Sequence, residues 1–232
     1  MIAGPCSIEN EKQMDTIAKV LSKKRVGFLR GGAYKPRTSP YDFQGMGIDG
    51  LKLINKICKK YSLISVSEIL DVRHLDLMTQ YIDVLQVGSR SMYNIPLLKE
   101  IGKTKRPVIL KRGMSATLNE FLLAAEYIVK EGNDNVVLCE RGIRTFEDST
   151  RNTLDISSIA IIKKHTNLSV IADISHSLGR TDIMIPVAKA LIALGIDGIM
   201  VEVHDNPPEA LSDSHQQLSL NEFSVFLNSL NT

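Results

Sequence analysis

Short apolar runs recur along the whole chain, and longer segments with apolar residues spaced three and four apart separate them. The runs cover residues 2–3, 26–29, 63–66, 84–87, 107–110, 136–138, 169–172 and 198–201. Continuous apolar runs of this length are typical of strands that helices cover on both faces of a parallel sheet. Between them, Met14, Ile17, Ala18 and Leu21 share one helical face. The pattern therefore predicts eight β-then-α units.

Eight such units close naturally into a (β/α)₈ TIM barrel, and the alternative is an open doubly wound sheet. The residues that end the runs favour the barrel. Almost every run ends in polar or ionisable groups, namely Cys6, Arg30, Glu68, Arg90, Lys111, Glu140, Arg141, Asp173, His176 and Glu202. A barrel gathers all of these at one mouth, whereas an open sheet spreads them along an edge. Since no linker or low-complexity tract interrupts the chain, we expect residues 1–232 to form a single barrel.

Composition and charge exclude several classes of protein. The formal net charge of +2 gives no reason to expect nucleic acid or an acidic membrane as a partner. No apolar run approaches the ~20 residues of a membrane span. The three cysteines are too widely spaced for a disulfide framework or a zinc pair. We therefore expect a cytoplasmic protein whose cysteines stay reduced.

Cations are concentrated just beyond the predicted strands. They are Arg30, Lys35, Arg37, Arg90, Lys111, Arg141 and Arg144. Each could pair with an acid on the rim, but seven together repel one another unless anions fill the site. Arginine and lysine in this mixture suit phosphorylated carboxylic acids. The loop "GGAYKPRTSP" at 31–40 adds hydroxyls at Thr38 and Ser39, and we expect Gly31 and Gly32 to let its backbone turn sharply off the strand.

A second constellation suggests a metal site. Cys6, His176, Glu202 and Asp213 offer a thiolate, an imidazole and two carboxylates, and barrel closure brings the first strand beside the eighth. Such ligands suit Mn²⁺, Fe²⁺, Co²⁺ or Zn²⁺. From spacing alone, His204 and His215 compete as ligands, and a lone buried cysteine is usually a small core residue.

Longer motifs carry a resemblance to a known family. They are "IAGPCS" at 2–7, "LRGGAYKPRTSP" at 29–40, "FQGMG" at 43–47, "LKRGM" at 110–114, "CERGIRTFE" at 139–147, "RNTLDIS" at 151–157, "DISHSLGR" at 173–180, "VEVH" at 201–204 and "ALSD" at 210–213. Over essentially its whole length the chain resembles 3-deoxy-D-arabino-heptulosonate 7-phosphate (DAHP) synthases of the microbial type Iβ subfamily. That resemblance implies a (β/α)₈ barrel that condenses phosphoenolpyruvate with erythrose 4-phosphate at a divalent metal, the first step of the shikimate pathway to aromatic amino acids.

The resemblance also implies roles for individual residues. It makes four residues the metal ligands, namely Cys6, His176, Glu202 and Asp213. The residues that it places around phosphoenolpyruvate are Arg30, Lys35, Ser89, Arg90, Lys111 and Arg141. It assigns the phosphate of the sugar to Arg37, Thr38 and Ser39. Lys35 lies between the two substrates, and Glu68 positions a water near the enolpyruvyl carbon. Ile174 departs from the family, which has proline there, and we expect this change to affect the stiffness of the loop.

Three alternatives remain at this point. The sister enzyme that makes 3-deoxy-D-manno-octulosonate 8-phosphate from arabinose 5-phosphate has an asparagine inserted after the loop lysine, and the run Lys35-Pro36-Arg37-Thr38-Ser39 lacks it. A metal-independent branch typically has asparagine where Cys6 stands. A catalytically silent phosphosugar-binding barrel is disfavoured because all four ligand positions and the cations are present.

The resemblance leads to two further expectations about organisation. Only Met1 and Ile2 precede the "AGPCS" turn, which indicates either an omitted N-terminal segment or a short first strand. Members of the family are commonly dimers or tetramers, so we expect a homo-oligomer. We expect no separate regulatory domain within 1–232, although a partner protein could supply feedback regulation.

Overall fold

Eight parallel strands form at the predicted apolar runs in a computed structural model that describes residues 1–230. They are β1 (Ile2–Gly4), β2 (Phe28–Arg30), β3 (Ile64–Ile69), β4 (Val84–Val87), β5 (Val108–Lys111), β6 (Val136–Glu140), β7 (Ser169–Asp173) and β8 (Gly198–His204). Each strand pairs with the next along the chain, and β1 pairs with β8, where Gly4 lies opposite Glu202. This pairing closes the sheet, and the predicted (β/α)₈ barrel is confirmed.

The strands extend further toward their carboxyl ends than the apolar runs indicated. Glu68 lies within β3, Glu140 and Asp173 are the last residues of β6 and β7, and Glu202 lies within β8. The apolar pattern places these ends too early because the unbroken apolar run stops before the charged residues that still belong to the strand. In a barrel, a charged residue can occupy one of the last positions of a strand and still make the backbone hydrogen bonds of the sheet.

Helices cover the outside of the barrel. They are α1 (Glu11–Lys23), α2 (Ile48–Tyr61), α3 (Leu75–Tyr81), α4 (Ile95–Gly102), α5 (Leu118–Val129), α6 (Ile156–His165), α7 (Ile174–Leu178), α8 (Met184–Ala193) and α9 (Leu220–Leu230). Several begin at side chains that accept a first-turn N–H, such as Asn10 at α1 and Thr117 at α5. No helix among residues 1–230 is long and apolar enough to cross a membrane.

The hydrophobic core has two parts. The larger part lies between the strands and the helices and includes the predicted face of α1. A smaller cluster comes from the strands alone and therefore fills the barrel interior. Its members are Ile2, Val66, Val84, Ile109, Cys139, Ile171 and Met200, with Phe28 packed against them. This layer forms the floor beneath the carboxyl-terminal mouth.

One short element was not predicted from the sequence. Strand β9 (Leu218–Ser219) pairs in parallel with the end of β8, with Leu218 opposite Val203 and Ser219 opposite His204. The run is too short and too mixed in polarity for the apolar pattern to detect it. Its pairing holds the preceding segment, 213–217, against the mouth of the barrel.

Candidate active site

The functional side chains stand one layer above the floor of the barrel. Successive strand residues face opposite sides of a sheet, so residues two apart share a face. Arg30, Glu68, Gln86, Lys111, Arg141, Asp173 and Glu202 each follow an inner-layer residue by two positions, these being Phe28, Val66, Val84, Ile109, Cys139, Ile171 and Met200. The alternation of the strands therefore aims this set of polar groups into the mouth.

A cavity of about 260 Å³ opens at this mouth. Its cationic lining residues are Lys35, Arg37, Arg90, Lys111, Arg141 and Arg151. Five of the seven expected cations are among them. Arg30 is buried and ion-paired with Glu202 outside the lining, and Arg144 is exposed and does not line the cavity. The cavity is therefore strongly suited to anions.

Four potential metal ligands converge beside this cavity. The donor atoms of Cys6, His176, Glu202 and Asp213 all lie within 4.8 Å of one another. Donors bound to one ion at ~2.0–2.3 Å lie at most ~4.6 Å apart, so this cluster needs only small movements to share an ion. The competing histidines are engaged elsewhere: Gln13 and Glu9 contact His204, and His215 lines a separate surface pocket.

His176 presents one ring nitrogen to the other ligands. Its Nδ1 lies 2.7 Å from Asp173 Oδ2, whereas Nε2 lies 3.6 Å from carboxylate oxygens of both Glu202 and Asp213. Burial lowers the pKa of His176 despite these acids, so the ring is neutral at pH 7. A neutral ring whose Nδ1–H donates to Asp173 leaves the Nε2 lone pair free, which is the tautomer that binds metals.

Asp173 connects the imidazole to the cationic cavity. Its carboxylate also pairs with Lys111 and, at the start of α7, accepts a hydrogen bond from the backbone N–H of His176. Burial opposes ionisation, but the charge of Lys111 and the hydrogen bond from His176 hold the pKa of Asp173 well below its usual range. Ile174, where the family has proline, is buried at the first position of α7, and the capped turn keeps His176 in place.

Glu202 is completely buried, and each of its carboxylate oxygens accepts a hydrogen bond. Arg30 Nη1 lies 2.5 Å from its Oε1, and Gln216 Nε2 donates to Oε2 at 2.5 Å. Burial opposes ionisation, but the positive charge of Arg30 favours the carboxylate, and the pKa of Glu202 is lowered. The carboxylate is therefore ionised at neutral pH and fixed in orientation.

The thiol of Cys6 lies between an acid and a cation. Its Sγ is 3.3 Å from Asp213 Oδ2 and 2.9 Å from Lys35 Nζ. Burial, reinforced by Glu202, raises the pKa of Cys6 to about 12. The sulfur therefore holds its proton at pH 7 until a further positive charge, such as a divalent ion, favours the thiolate.

The two glycines of the β2 loop permit close packing. Neither Gly31 nor Gly32 has a positive φ, so neither needs the left-handed backbone that glycine favours. A Cβ on Gly31 would lie 2.8 Å from Ile8 Cγ1, and one on Gly32 would lie 3.0 Å from the Cys6 carbonyl oxygen. Gly32 also exchanges backbone hydrogen bonds with the Cys6–Ile8 segment. The glycines thus bring the loop against the segment that carries Cys6.

Two arginines in the mouth have no carboxylate partner among residues 1–230. Arg141 is only 4% exposed, and its side chain donates to the backbone carbonyls of Gly142 and His176 at 3.4 and 3.3 Å. Arg90 donates to the carbonyl of Pro36 at 2.7 Å. A buried guanidinium without a countercharge is costly, so Arg141 indicates an anionic ligand. Arg90 is exposed, but it lines the same cavity and can bind the same anion.

The remaining predicted residues lie on the loops around the cavity. Three of them, Arg37, Thr38 and Ser89, line the cavity. Arg37 also forms an ion pair, with its Nε 3.4 Å from Asp42 Oδ2. Ser39 does not line it, and its hydroxyl accepts a hydrogen bond from the Tyr41 N–H at 3.2 Å.

Glu68 lines the cavity from strand β3. Gln86 Nε2 donates to its Oε2 at 3.1 Å, and a Cβ on Gly88 would lie 2.0 Å from Oε1. Glycine at 88 therefore leaves room for a carboxylate that faces the cavity.

Sequence reasoning missed two contributors. Arg151 lines the cavity and lies 3.3 Å from Asp213 Oδ1, and its only signal was its place in the "RNTLDIS" motif. Arg112, buried behind the mouth, pairs with Glu140 and Asp155 at 2.9 Å each. Glu140 in turn accepts the Gly142 N–H at 2.6 Å, so this network braces the backbone on both sides of Arg141.

The fold and site together define a class of protein. A closed (β/α)₈ barrel carries a sulfur, nitrogen and oxygen donor set of the kind that borderline divalent ions prefer, next to a pocket for anions. These residues fit such an ion, because His176 has a free lone pair on Nε2 and Glu202 is ionised at neutral pH.

Comparisons with known proteins agree with this class. The model of the DAHP synthetase I family matches residues 1–232. Phospho-2-dehydro-3-deoxyheptonate aldolase of Thermotoga maritima is 50% identical over 96% of this chain, and the matched part makes up 66% of that protein, so the chain spans slightly under two thirds of the relative's length. The crystal structure of the Thermotoga DAHP synthase superposes with a TM-score of 0.96 at 48% identity, covering 99% of this chain and 67% of that one.

A more distant relative is 2-dehydro-3-deoxyphosphooctonate aldolase of Francisella tularensis, which is 27% identical over 99% of this chain and 89% of its own length. The chain belongs to the DAHP synthetase I family, and the resemblance to DAHP synthases is confirmed.

Proposed function

We propose that this chain condenses phosphoenolpyruvate with erythrose 4-phosphate and water, releasing 3-deoxy-D-arabino-heptulosonate 7-phosphate and phosphate, in a reaction that requires one divalent metal ion. The observation that carries the proposal is the position of the four-donor cluster beside a cavity with six cationic lining residues. Membership of the family and the 50% identical Thermotoga relative support the same reaction.

Phosphoenolpyruvate is the natural ligand for the inner cations. Arg141 and Arg90 have guanidinium groups without a carboxylate partner in the described part of the chain, and a phosphate or carboxylate would supply the missing countercharge. Lys111 is held by Asp173 at the boundary between the metal cluster and the cavity. Arg30, buried against Glu202, contributes to the positive potential from outside the lining, and Ser89 offers a further donor at the rim.

Erythrose 4-phosphate is the natural second substrate for the β2 loop. Arg37 and Thr38 line the outer part of the cavity and can hold the sugar phosphate, with Ser39 the next residue along. The uninterrupted run Lys35-Pro36-Arg37 lacks the asparagine that accommodates a longer aldose in the sister enzyme. The 27% identity to the octulosonate enzyme, against 50% to the heptulosonate enzyme, points the same way.

The chemistry joins C3 of phosphoenolpyruvate to C1 of the aldose. Cys6, His176, Glu202 and Asp213 would hold the metal, which when bound supplies Lewis acidity toward the aldehyde oxygen. Lys35, whose Nζ also donates to the Cys6 carbonyl, stands between the metal cluster and the loop and can orient the aldehyde. Water adds at C2, where Glu68 can position it, and phosphate departs by cleavage of its bond to C2. Arg90, Lys111 and Arg141 stabilise the charge on the departing group.

The proposal extends to organisation and setting. Residues 1–232 act as one catalytic barrel, in a homo-oligomer of two or four copies in the cytoplasm. The three cysteines of this chain are free and buried, which suits a reducing compartment. Light scattering checks the oligomeric state, and only a dimer or tetramer agrees with it.

Phosphate release with two aldoses tests the substrate assignment. The purified chain is mixed with phosphoenolpyruvate, Mn²⁺ and either erythrose 4-phosphate or arabinose 5-phosphate in parallel. We expect release with the four-carbon sugar to be faster by a large factor. Preference for arabinose 5-phosphate would assign the chain to the sister reaction, and release with neither would assign it to the silent barrels.

A further inference from the structure

Two neighbouring glutamines lie behind the metal cluster. Gln216 and Gln217 are each only 3% exposed, and they follow the ligand Asp213 by three and four residues. A buried amide must find partners for its donor and its acceptor. Each side chain finds at least one partner on a segment that carries a metal ligand.

Gln217 connects the first and last ligand segments of the chain. Its Oε1 accepts the backbone N–H of Cys6 at 3.1 Å, and its Nε2 donates to the backbone carbonyl of Ser212 at 2.8 Å. Ser212 immediately precedes Asp213, so one amide side chain bridges the backbones that carry Cys6 and Asp213. A direct contact between Ser7 and Ser212 hydroxyls at 2.8 Å reinforces the bridge.

Gln216 holds a third ligand. Its Nε2 donates to Glu202 Oε2 at 2.5 Å, while its Oε1 accepts from Arg151 Nη1 at 2.6 Å. Arg151 also pairs with Asp213. The Gln216 amide therefore binds Oε2 of Glu202, whereas Oε1 is the oxygen that faces His176 Nε2 in the ligand cluster.

The backbone of this segment explains why both glutamines reach inward. Asp213 takes a left-handed conformation with φ of 48°, a single helical turn follows at Ser214–Gln216, and β9 then pairs with the end of β8. The chain is thus folded back against the barrel mouth directly after Asp213. Segment 212–217 supplies one ligand and reaches two others.

We propose that Gln216 and Gln217 are positioning residues that set the spacing of Cys6, Glu202 and Asp213 for metal binding. The inference rests on the proposed metal centre. A neutral amide suits this task because it bridges a donor to an acceptor without adding charge beside the ligands. Partners that orient ligands in this way are typically worth about 10–100-fold in metal affinity.

Direct metal titration tests the proposal without relying on activity. The variants are Gln216→Met and Gln217→Met, which keep the side-chain volume but cannot bridge, and the control is Gln80→Met on the exposed face of α3. Each metal-free chain is titrated with Mn²⁺ by calorimetry and with Co²⁺ by the absorption of its thiolate-to-metal band. We expect each glutamine variant to bind Mn²⁺ about tenfold or more weakly than the control, with a weakened or shifted cobalt band.

The outcomes separate this inference from the proposed function. If the parent binds Mn²⁺ tightly and both variants bind it with an affinity within twofold of the parent's, the inference is overturned but the metal centre is not. If the parent does not bind Mn²⁺, both the metal centre and the inference are overturned. An affinity loss that vanishes after correction for the folded fraction, measured by thermal unfolding of the metal-free chains, also contradicts the proposal. If a methionine variant does not fold, Gln216→Asn or Gln217→Asn takes its place. The asparagine side chain keeps the amide but is too short to reach both partners.

Discussion

Asp173 and His176 form a carboxylate–imidazole pair in which Asp173 Oδ2 lies 2.7 Å from Nδ1, while Nε2 faces Glu202 and Asp213 at 3.6 Å. The pair is local in sequence, because one turn of α7 brings residues three apart together. It determines which nitrogen is free, and so gives His176 the tautomer and direction that a metal ligand needs.

Replacing Asp173 tests this relationship. Asp173→Asn removes the charge that orients the ring and leaves Lys111 without its partner, so we expect Mn²⁺ affinity to fall about 10–100-fold. Calorimetric titration of the metal-free chain measures the change. Asp76→Asn, on the exposed side of α3, is the matched control and should bind like the parent. Equal affinities in the two variants would show that the pair does not act on a metal site.

Replacing Cys6 tests the sulfur ligand. Cys6→Ala removes a donor that lies within 4.8 Å of the other three, so we expect the thiolate-to-cobalt absorption to disappear and phosphate release to fall by several orders of magnitude. Cys58→Ala is the control, since that thiol is also buried but lies on α2. A fully active Cys6→Ala chain, or one that keeps the cobalt band, would contradict the ligand assignment.

Metal binding should depend on pH through the Cys6 thiol. Burial raises its pKa to about 12, so the metal-free thiol is protonated at pH 7 and must lose this proton to bind. Below that pKa, affinity should rise with pH by about tenfold per unit where this thiol alone titrates. Mn²⁺ titrations at several pH values between 6.5 and 8.5 check the slope. An affinity that is flat, or that falls as pH rises, would not fit a thiolate ligand.

Arg141 should act through its unpaired charge. We expect Arg141→Met to lower kcat/KM for phosphoenolpyruvate by about 100-fold or more, because methionine supplies neither the charge nor the N–H donors of this buried guanidinium. Arg141→Lys keeps the charge and should lose less. Arg73→Met, whose side chain is 82% exposed, should resemble the parent in the same steady-state assay. Loss of activity in the control as well as in Arg141→Met, to a similar degree, would argue against a specific role.

The sequence predicted the barrel because its apolar runs and helical faces are regular. Buried parallel strands require unbroken apolar segments, and eight of these alternate with amphipathic helices. The functional layer also follows from local periodicity, as Lys111 and Glu202 each stand two residues after an inner-layer side chain. The long motifs added the roles that spacing alone left open, such as the choice between Asp213 and the neighbouring histidines.

Other parts of the site depend on contacts that no local pattern records. Gly31 and Gly32 have ordinary φ values, and only the packed structure reveals that Ile8 and Cys6 leave no room for a Cβ there. Gln217 joins Cys6 to Ser212 across more than 200 residues of sequence. Arg144 and Arg141 look alike in sequence, yet the first is exposed and the second lines the cavity.

The dependence of phosphate release on metal tests the central claim most directly. The chain is assayed with phosphoenolpyruvate and erythrose 4-phosphate as purified, after exhaustive treatment with EDTA, and after Mn²⁺ is restored in excess over the chelator. A metal held by Cys6, His176, Glu202 and Asp213 predicts that chelation abolishes release and that Mn²⁺ restores it. Release that continues undiminished in the thoroughly chelated chain would contradict the account.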